Sequence, residues 1–379
     1  MGGSSSSKLQ DKHVVIVGGG YGGITLANHL KGKCKFTLID PRETFHHTIG
    51  GLRAVVEKGY SNLIFIPYAP TFGESFKQGK AVSVDTTAKK VVLETGDEIS
   101  YDYLVLATGS SGVFPVKIDL SVTDASEAME MYNSYVDKID AAKDIVIIGG
   151  GPVGIELAGE IATDKKDKKI TIIHSRSALI NNGTFNDKFK KRLRKGLQAK
   201  GVEILFEQKV SNLAELPPDG SARCTVKTDK GSEVEADLVF ACIGLKTNSS
   251  AYSEAFSDKL DEIGCLKVDE FLRVEGYTDV FAIGDCSAAD GEAKLAFKAS
   301  VHAEVVAQNL QLHEDGKHLK TYKPPINMIV VPLGRNGGVA QMGNSIVVGN
   351  MITKIVKSKH LFTSRYWGDM GQEMPTNVK

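Results

Sequence analysis

The strongest constraint on this 379-residue chain is a unit that occurs twice, about 130 residues apart: strand, glycine turn, helix, strand. The first copy opens with His13-Val14-Val15-Ile16-Val17, a β-branched run that reads as a buried parallel strand. Gly18-Gly19-Gly20-Tyr21-Gly22-Gly23 follows, and Ile24 to Leu30 continues at helical spacing. Gly18, Gly20 and Gly23 satisfy G-x-G-x-x-G. The first glycine permits the tight turn, the second lets the backbone approach a pyrophosphate, and the third allows close helix–strand packing. A helix amino terminus then offers free N–H groups and a positive dipole end to phosphate. The next strand, Phe36-Thr37-Leu38-Ile39, ends at Asp40, 22 residues after Gly18, where a ribose-binding carboxylate is expected.

The second copy runs Asp144 to Ile148, Gly149-Gly150-Gly151-Pro152-Val153-Gly154, a helix from Ile155, and a strand Ile170 to Ile173. One such glycine pattern is weak evidence; two in full strand–turn–helix–strand context are strong. The copies differ where the ribose acid should stand. Position 174 is His174, 25 residues after Gly149, and Arg176 follows two residues later. An acid there would repel a 2′-phosphate, whereas these residues accommodate one, so NADPH is expected to bind as well as NADH. Three further strands end in glycine: Tyr101 to Ala107 before Thr108-Gly109, Asp237 to Ile243 before Gly244, and Asp279 to Ile283 before Gly284-Asp285.

Composition excludes several alternatives. Lys+Arg and Asp+Glu are both 46, which argues against a dedicated nucleic-acid binder, and Lys165 to Lys169 reads as a solvated basic loop. Five cysteines, with no CxxC or other close spacing, exclude a disulfide framework, a structural zinc site and a dithiol, and no metal is expected. Uninterrupted apolar runs are too short to span a bilayer, and the polar first ten residues are not a secretory signal. Met1-Gly2-Gly3-Ser4-Ser5-Ser6 matches the pattern for N-myristoylation of Gly2, although it also reads as a plain flexible leader. One acyl chain anchors only marginally, so a second membrane contact is expected.

Together these motifs resemble the two-dinucleotide-binding flavoprotein superfamily. Phe45-His46-His47, Leu52-Arg53-Ala54 and Thr71-Phe72 are similar to its apoptosis-inducing-factor-related branch. The resemblance covers nearly the whole chain. It implies two Rossmann-like α/β domains, FAD on the first (Gly18, Gly19, Gly20, Tyr21, Gly22, Gly23, Asp40) and NADH or NADPH on the second (Gly149, Gly151, Pro152, Val153, Gly154, His174, Arg176, Gly244). Thr108-Gly109 is implied at the crossing between domains, Gly284-Asp285 as the carboxylate that holds the ribitol–pyrophosphate side of FAD, and Arg53 and Val82 as flavin neighbours. The implied activity is NAD(P)H-dependent reduction of coenzyme Q and vitamin K quinones, giving radical-trapping quinols. It is expected on the cytosolic face of the plasma membrane and lipid droplets, with a cytosolic pool. Two departures stand out. No redox cysteine pair follows the first fold, and the Ala296 to His302 stretch lacks the glutamines that some quinone reductases place there. Phe297 and His302 therefore remain only candidate quinone contacts.

The expected layout is a flexible leader over 1–12, an FAD domain over 13–115, an NAD(P)H domain over 116–245, return to the FAD domain over 246–320, and a small α+β membrane- and quinone-facing region over 321–379. Pro217-Pro218-Asp219-Gly220 reads as a turn inside the second domain. Glu156, two residues after Gly154, is expected to project toward the nicotinamide–flavin stack and is the candidate catalytic residue, although a helix-dipole role would also explain it. Glu160 lies one turn further on the same face. In Met351 to Phe362, Ile352, Ile355, Val356 and Phe362 fall near one helical face and Lys354, Lys357 and Lys359 largely elsewhere, which reads as an interfacial segment or as a helix packed on its own domain. A redox signalling flavoprotein that binds DNA or a protein partner, and a ferredoxin-type reductase, are the competing readings.

Overall fold

The apolar runs of the sequence pair into two parallel sheets. The computed structural model describes residues 8–112, 114–180, 185–217, 222–289 and 294–376. In the first sheet the strands lie in the order Val280–Ala282, Tyr103–Leu106, His13–Val17, Lys35–Asp40, Phe76–Gln78, all parallel. Tyr103–Leu106 is buried throughout, which explains an unbroken apolar run in place of alternation. The helices Tyr21–Leu30 and Ala296–Glu314 pack against each other on this sheet. In the second sheet the order is Glu203–Phe206, Lys169–His174, Asp144–Ile148, Leu238–Ala241, again parallel. The architecture is α/β, with two Rossmann-like folds of the pyridine-nucleotide type.

Several contacts join them, a shared apolar core among them. Ser110–Ser111 pairs antiparallel with Lys246–Thr247, beside a reciprocal clamp. Thr108 Oγ1 donates to the Asn248 carbonyl (2.7 Å), and Asn248 Nδ2 donates to the Thr108 carbonyl (2.9 Å). The C-terminal region makes another connection. Met328–Pro332, Gly338–Met342 and Ile346–Val348 form an antiparallel meander on the helices Pro152–Asp164 and Asp187–Gln198. Leu333 seats into notches at Gly159 and Gly196, where an added Cβ would come within 2.6 and 2.4 Å of it. The chain then returns to the first domain through the helix Thr363–Asp369, where Trp367 Nε1 donates to the Leu63 carbonyl at 2.9 Å.

One expectation needs adjusting: within the segment expected to be a flexible leader, Lys8–Asp11 forms a 3-10 turn, and Leu9 is fully buried in the first domain's core. Gly2 lies outside the described residues, as does the turn beyond Pro217. Among the described residues no helix is long and apolar enough to cross a membrane.

Candidate active site

The first glycine turn is built by backbone constraint. Gly18 has φ +110°, and an added Cβ would lie 2.3 Å from the Ala107 carbonyl oxygen. Gly23 presses the helix onto the turn, since a Cβ there would lie 1.9 Å from the Gly18 carbonyl oxygen. Gly20, in contrast, faces open space, with nothing within 4 Å of a Cβ. It is the N-cap of the helix Tyr21–Leu30 and offers no side-chain cap, so the helix amino terminus is left for an anion. Asp40 closes the turn from the end of the second strand. Its Oδ2 accepts from the Gly19 N–H (2.7 Å) and its Oδ1 from the Arg42 N–H (2.9 Å). Burial pushes this carboxyl above the usual range, and the two N–H bonds and Arg42 oppose that rise.

Beside this turn lies a cleft, open to solvent, whose empty space, its mouth included, is about 1030 Å³. Gly18, Gly19, Gly20, Asp40, Thr108 and Gly109 line it, together with Arg42, Tyr68, Lys117 and Asn248. The Arg42 Nε is buried without a partner, and burial lowers the Lys117 ammonium. An open glycine, an uncapped helix end and cations with unspent hydrogen-bonding capacity fit a pyrophosphate-bearing dinucleotide. Arg42, Tyr68, Lys117 and Asn248 escaped sequence reasoning, because none belongs to a spaced motif and folding alone brings them together.

Several expected neighbours stand elsewhere. Tyr21, Gly22 and Gly23 are not on this cavity wall. Tyr21 Oη accepts from the Ile49 N–H (3.1 Å), and Gly22 and Gly23 are packed within the fold. Val82 is 38% exposed at a bulge in its strand, and Gly79, Lys80 and Ala81 line the cavity in its stead. Gly284 and Asp285 line a smaller adjoining cavity of about 210 Å³ with His302. Ser110 Oγ, on the larger cavity, donates to Asp285 Oδ2 at 2.6 Å, linking the two. The candidate quinone contact His302 is buried, with its Nδ1 accepting from the Gly284 N–H (3.2 Å) and its ring edge-on to Tyr322. It positions the Gly284-Asp285 turn. Phe297 is half-buried at the start of the same helix.

The second turn repeats the first in detail. Gly149 has φ +116°, with a Cβ position 2.5 Å from the Cys242 carbonyl oxygen. Gly154 sits against the Gly149 carbonyl, and Gly151 faces open space. Pro152 is the first residue of the helix Pro152–Asp164, where its missing N–H costs nothing. Val153 packs partly against the core. His174 occupies the structural place of Asp40. The Gly150 N–H donates to its Nδ1 (3.1 Å), and its Nε2–H donates to the Ala178 carbonyl (3.0 Å). Burial lowers its pKa, with Arg176 adding to the effect, so a neutral imidazole takes the N–H that a carboxylate takes in the first turn. Arg176 is exposed, and Gly244 stands exposed with φ +74°.

A charge ladder on one face of the helix Pro152–Asp164 joins the domains to the C-terminal region. Glu156 Oε1 accepts from Lys357 Nζ at 2.9 Å, and that ammonium also donates to the Val330 carbonyl at 3.0 Å. Burial raises the Glu156 pKa, against the pull of Lys357. One turn on, Glu160 receives a bidentate pair from Arg53, Nε to Oε2 at 3.0 Å and Nη2 to Oε1 at 2.8 Å. Asp164 pairs with Arg335. Arg53 is thus no wall of the large cavity. Its Nη1 and Nη2 also donate to the Lys359 and Ser358 carbonyls, strapping the C-terminal segment to the junction. That segment is not one continuous helix. Asn350–Thr353 is α-helical, Lys354–Ser358 is π-helical, and Leu361 and Phe362 both take positive φ. The break turns Lys357 inward and sets Phe362, half-buried, against the first domain's core, away from Ile352, Ile355 and Val356. A basic run reads as solvated in sequence, and only this winding shows Lys357 meeting a buried carboxylate.

Two matched dinucleotide turns, a large cavity at the first and an open rim at the second define a class: an FAD-dependent NAD(P)H oxidoreductase. The comparisons agree. The sequence profile of the pyridine nucleotide-disulphide oxidoreductase family matches residues 10–304, and the chain belongs to that family. It is 42% identical to ferroptosis suppressor protein 1 of Taeniopygia guttata over 365 residues, covering 96% of this chain and 97% of the relative. The Homo sapiens protein of that name is 39% identical over 377 residues, 99% of this chain and all of the relative. Apoptosis-inducing factor homolog B of Dictyostelium discoideum is 36% identical over 385 residues, 97% of this chain and 98% of that one. The fold is shared with sulfide:quinone oxidoreductase from Aquifex aeolicus, at a TM-score of 0.77 and 21% identity over 96% of this chain and 93% of that one.

Proposed function

We propose that this oxidoreductase takes a hydride from NADH or NADPH held on the second turn, through FAD held at the first, and reduces a membrane quinone of the coenzyme Q or vitamin K type. The observation that carries this reading is the buried Glu156–Lys357 pair, 2.9 Å apart, where the second domain's turn helix meets the C-terminal region. FAD, when bound, accepts two electrons as hydride and passes them on. Quinol formation also requires protons at two oxygens. Lys357 holds protons in hydrogen bonds to Glu156 Oε1 and the Val330 carbonyl, and burial raises the Glu156 carboxyl above its usual range, which favours proton exchange with it. Arg53 fixes the carbonyls of Ser358 and Lys359, and so sets where Lys357 stands.

The same proposal assigns the quinols a radical-trapping role at lipid, in line with the name of the ferroptosis suppressor relatives. It places the protein on the cytosolic face of the plasma membrane and lipid droplets, through a myristoyl group on Gly2 and the basic C-terminal segment, with a cytosolic pool. The test is the acceptor profile of the purified yellow protein with each nucleotide. Turnover with a short-chain ubiquinone and with menadione, lost in Lys357→Ala and Glu156→Ala while flavin is retained, supports the reading. Turnover with ferredoxin alone, or with no acceptor, overturns it.

A further inference from the structure

The second turn leaves one requirement unmet. A ribose on a Rossmann-like fold is held by a carboxylate at the end of the second strand, which accepts its hydroxyls. His174 stands in that place with both ring nitrogens spent on the protein. Its Nδ1 accepts from the Gly150 N–H, and its Nε2–H donates to the Ala178 carbonyl. Nothing is left on the imidazole for a ribose, and Arg176 carries donors but no acceptor.

The neighbouring strand supplies one. In the first sheet Asp40 is paired with Gln78, and the Gly79 N–H closes the strand end on the Asp40 carbonyl at 2.9 Å. Gly79, Lys80 and Ala81 then line the dinucleotide cleft. In the second sheet His174 is paired with Phe206, but the N–H that reaches the His174 carbonyl, at 3.2 Å, is that of Gln208. Glu207 is therefore an extra residue at this strand end. Its N–H is diverted to the Arg176 carbonyl (3.2 Å), and its φ is +57°, a left-handed conformation that a glutamate keeps only where its surroundings impose it. They do so from both sides: Phe206 is paired in the sheet, and Gln208 Oε1 accepts from Thr228 Oγ1 at 2.8 Å. One-residue insertions at strand ends re-aim a side chain and recur beside binding sites. Glu207 is exposed, and no described residue pairs with its carboxylate.

We propose that Glu207 is the ribose acceptor of the second turn and the residue that sets its choice of nucleotide. Resting on the NAD(P)H reading of this turn, the carboxylate receives the adenosine-ribose hydroxyls of NADH and repels the 2′-phosphate of NADPH. Arg176, tied to it through the backbone, attracts that phosphate. Two opposed charges on one rim admit both nucleotides, and their balance fixes the preference.

The test titrates the flavin-loaded full chain by calorimetry with ADP-ribose and with 2′-phospho-ADP-ribose. These ligands carry the adenosine end of each nucleotide and no hydride, so binding is read apart from turnover. Glu207→Gln is expected to weaken ADP-ribose by about three- to tenfold. It is expected to tighten the 2′-phosphorylated ligand by about threefold at low salt, and this gain should shrink as salt rises. Glu207→Gly removes the same carboxylate from a residue that tolerates the positive φ, and should shift the ratio of the two affinities the same way. Glu203→Gln, which removes another exposed carboxylate from the same strand, should leave that ratio at the parent value. An unchanged ratio in both Glu207 variants, or an equal shift in Glu203→Gln, overturns the proposal and makes Glu207 an ordinary solvated charge. Binding of neither ligand by the parent overturns the NAD(P)H reading of the second turn, and the proposal with it.

Discussion

The two glycine turns share a backbone and differ in what closes them. In each, the N–H of the second glycine is received by the last residue of the following strand: a buried carboxylate at Asp40, a neutral imidazole at His174. Around Asp40 the chain adds Arg42, Tyr68, Lys117 and Asn248 to make a deep cavity. Around His174 it leaves Pro152, Arg176 and Gly244 exposed. The difference suits a cofactor that is kept and one that exchanges each turnover. The shared motif supplies the phosphate geometry, and the surroundings set the residence time.

The largest effects should come from filling the turns. Gly18→Ala and Gly149→Ala each force a side chain into positive φ and onto a backbone carbonyl, at a cost of about 2–4 kcal/mol. Gly149→Ala is expected to purify with its flavin and lose nucleotide-driven flavin reduction. Gly18→Ala is expected to lose the flavin, or to fail to fold. Absorbance and anaerobic stopped-flow reduction read both, and a colourless Gly149→Ala would break the division of labour between the turns.

Next come the closing residues. Asp40→Asn keeps one acceptor but aims an amide NH₂ at the other N–H, so flavin affinity should fall by about 10- to 100-fold. His174→Ala leaves the Gly150 N–H without its acceptor and should raise KM for both nucleotides by about tenfold with flavin intact. Flavin titration of the apoprotein and steady-state kinetics separate the two. Flavin loss in His174→Ala would mean that the second turn also supports the first cofactor.

How much of this was legible beforehand follows from range. Within each unit the first glycine and the closing residue are 22 (Gly18 to Asp40) or 25 (Gly149 to His174) positions apart, a range over which glycine chemistry and strand patterning act. The cavity wall and the charge ladder join residues 76 to 306 positions apart, as in Arg42 to Ile118 or Arg53 to Lys359, and no local pattern encodes such meetings. Arg53 and Glu160 were each noticed, but their pairing appears only in the folded chain. A regular helix would set Lys357 off the apolar face of an interfacial or self-packed segment, and the π-helical winding turns it inward onto Glu156 instead.

Acidification should sharpen the comparison locally. The folded pKa of His174 is held below its usual value of about 6.5 by burial. Its contribution is therefore complete above that value and is lost as pH falls through the lower folded one, when a protonated Nδ1 can no longer accept the Gly150 N–H. Asp40 has the opposite sign: burial raises its pKa, so the folded state gains stability as pH falls through the raised value. His46 and His47 also sit by the first fold with burial-lowered pKa values, His47 at about 4, so a whole-domain melting curve would mix the signs. Amide exchange at Gly150 and Gly19, corrected for intrinsic rates, resolves them. Protection at Gly150 should decline from about pH 6.5 downward while that at Gly19 persists, and parallel loss at both would erase the distinction.

The smallest effect concerns the open rim. Arg176 is exposed, and its backbone carbonyl is held by the Glu207 N–H at 3.2 Å, so the loop stays in place when the side chain is removed. A guanidinium on this rim suits a 2′-phosphate, but solvent screens it, and Arg176→Ala should raise KM for NADPH by about three- to tenfold with little change for NADH. The difference should shrink as ionic strength rises and the Debye length falls below about 8 Å. His174→Asp tests the same rim from the other side: an anion in the imidazole's place still accepts the Gly150 N–H but repels a 2′-phosphate, so it should shift preference toward NADH. Equal effects of Arg176→Ala on both nucleotides would make it an ordinary solvated charge, and would leave His174 alone to distinguish the second turn from the first.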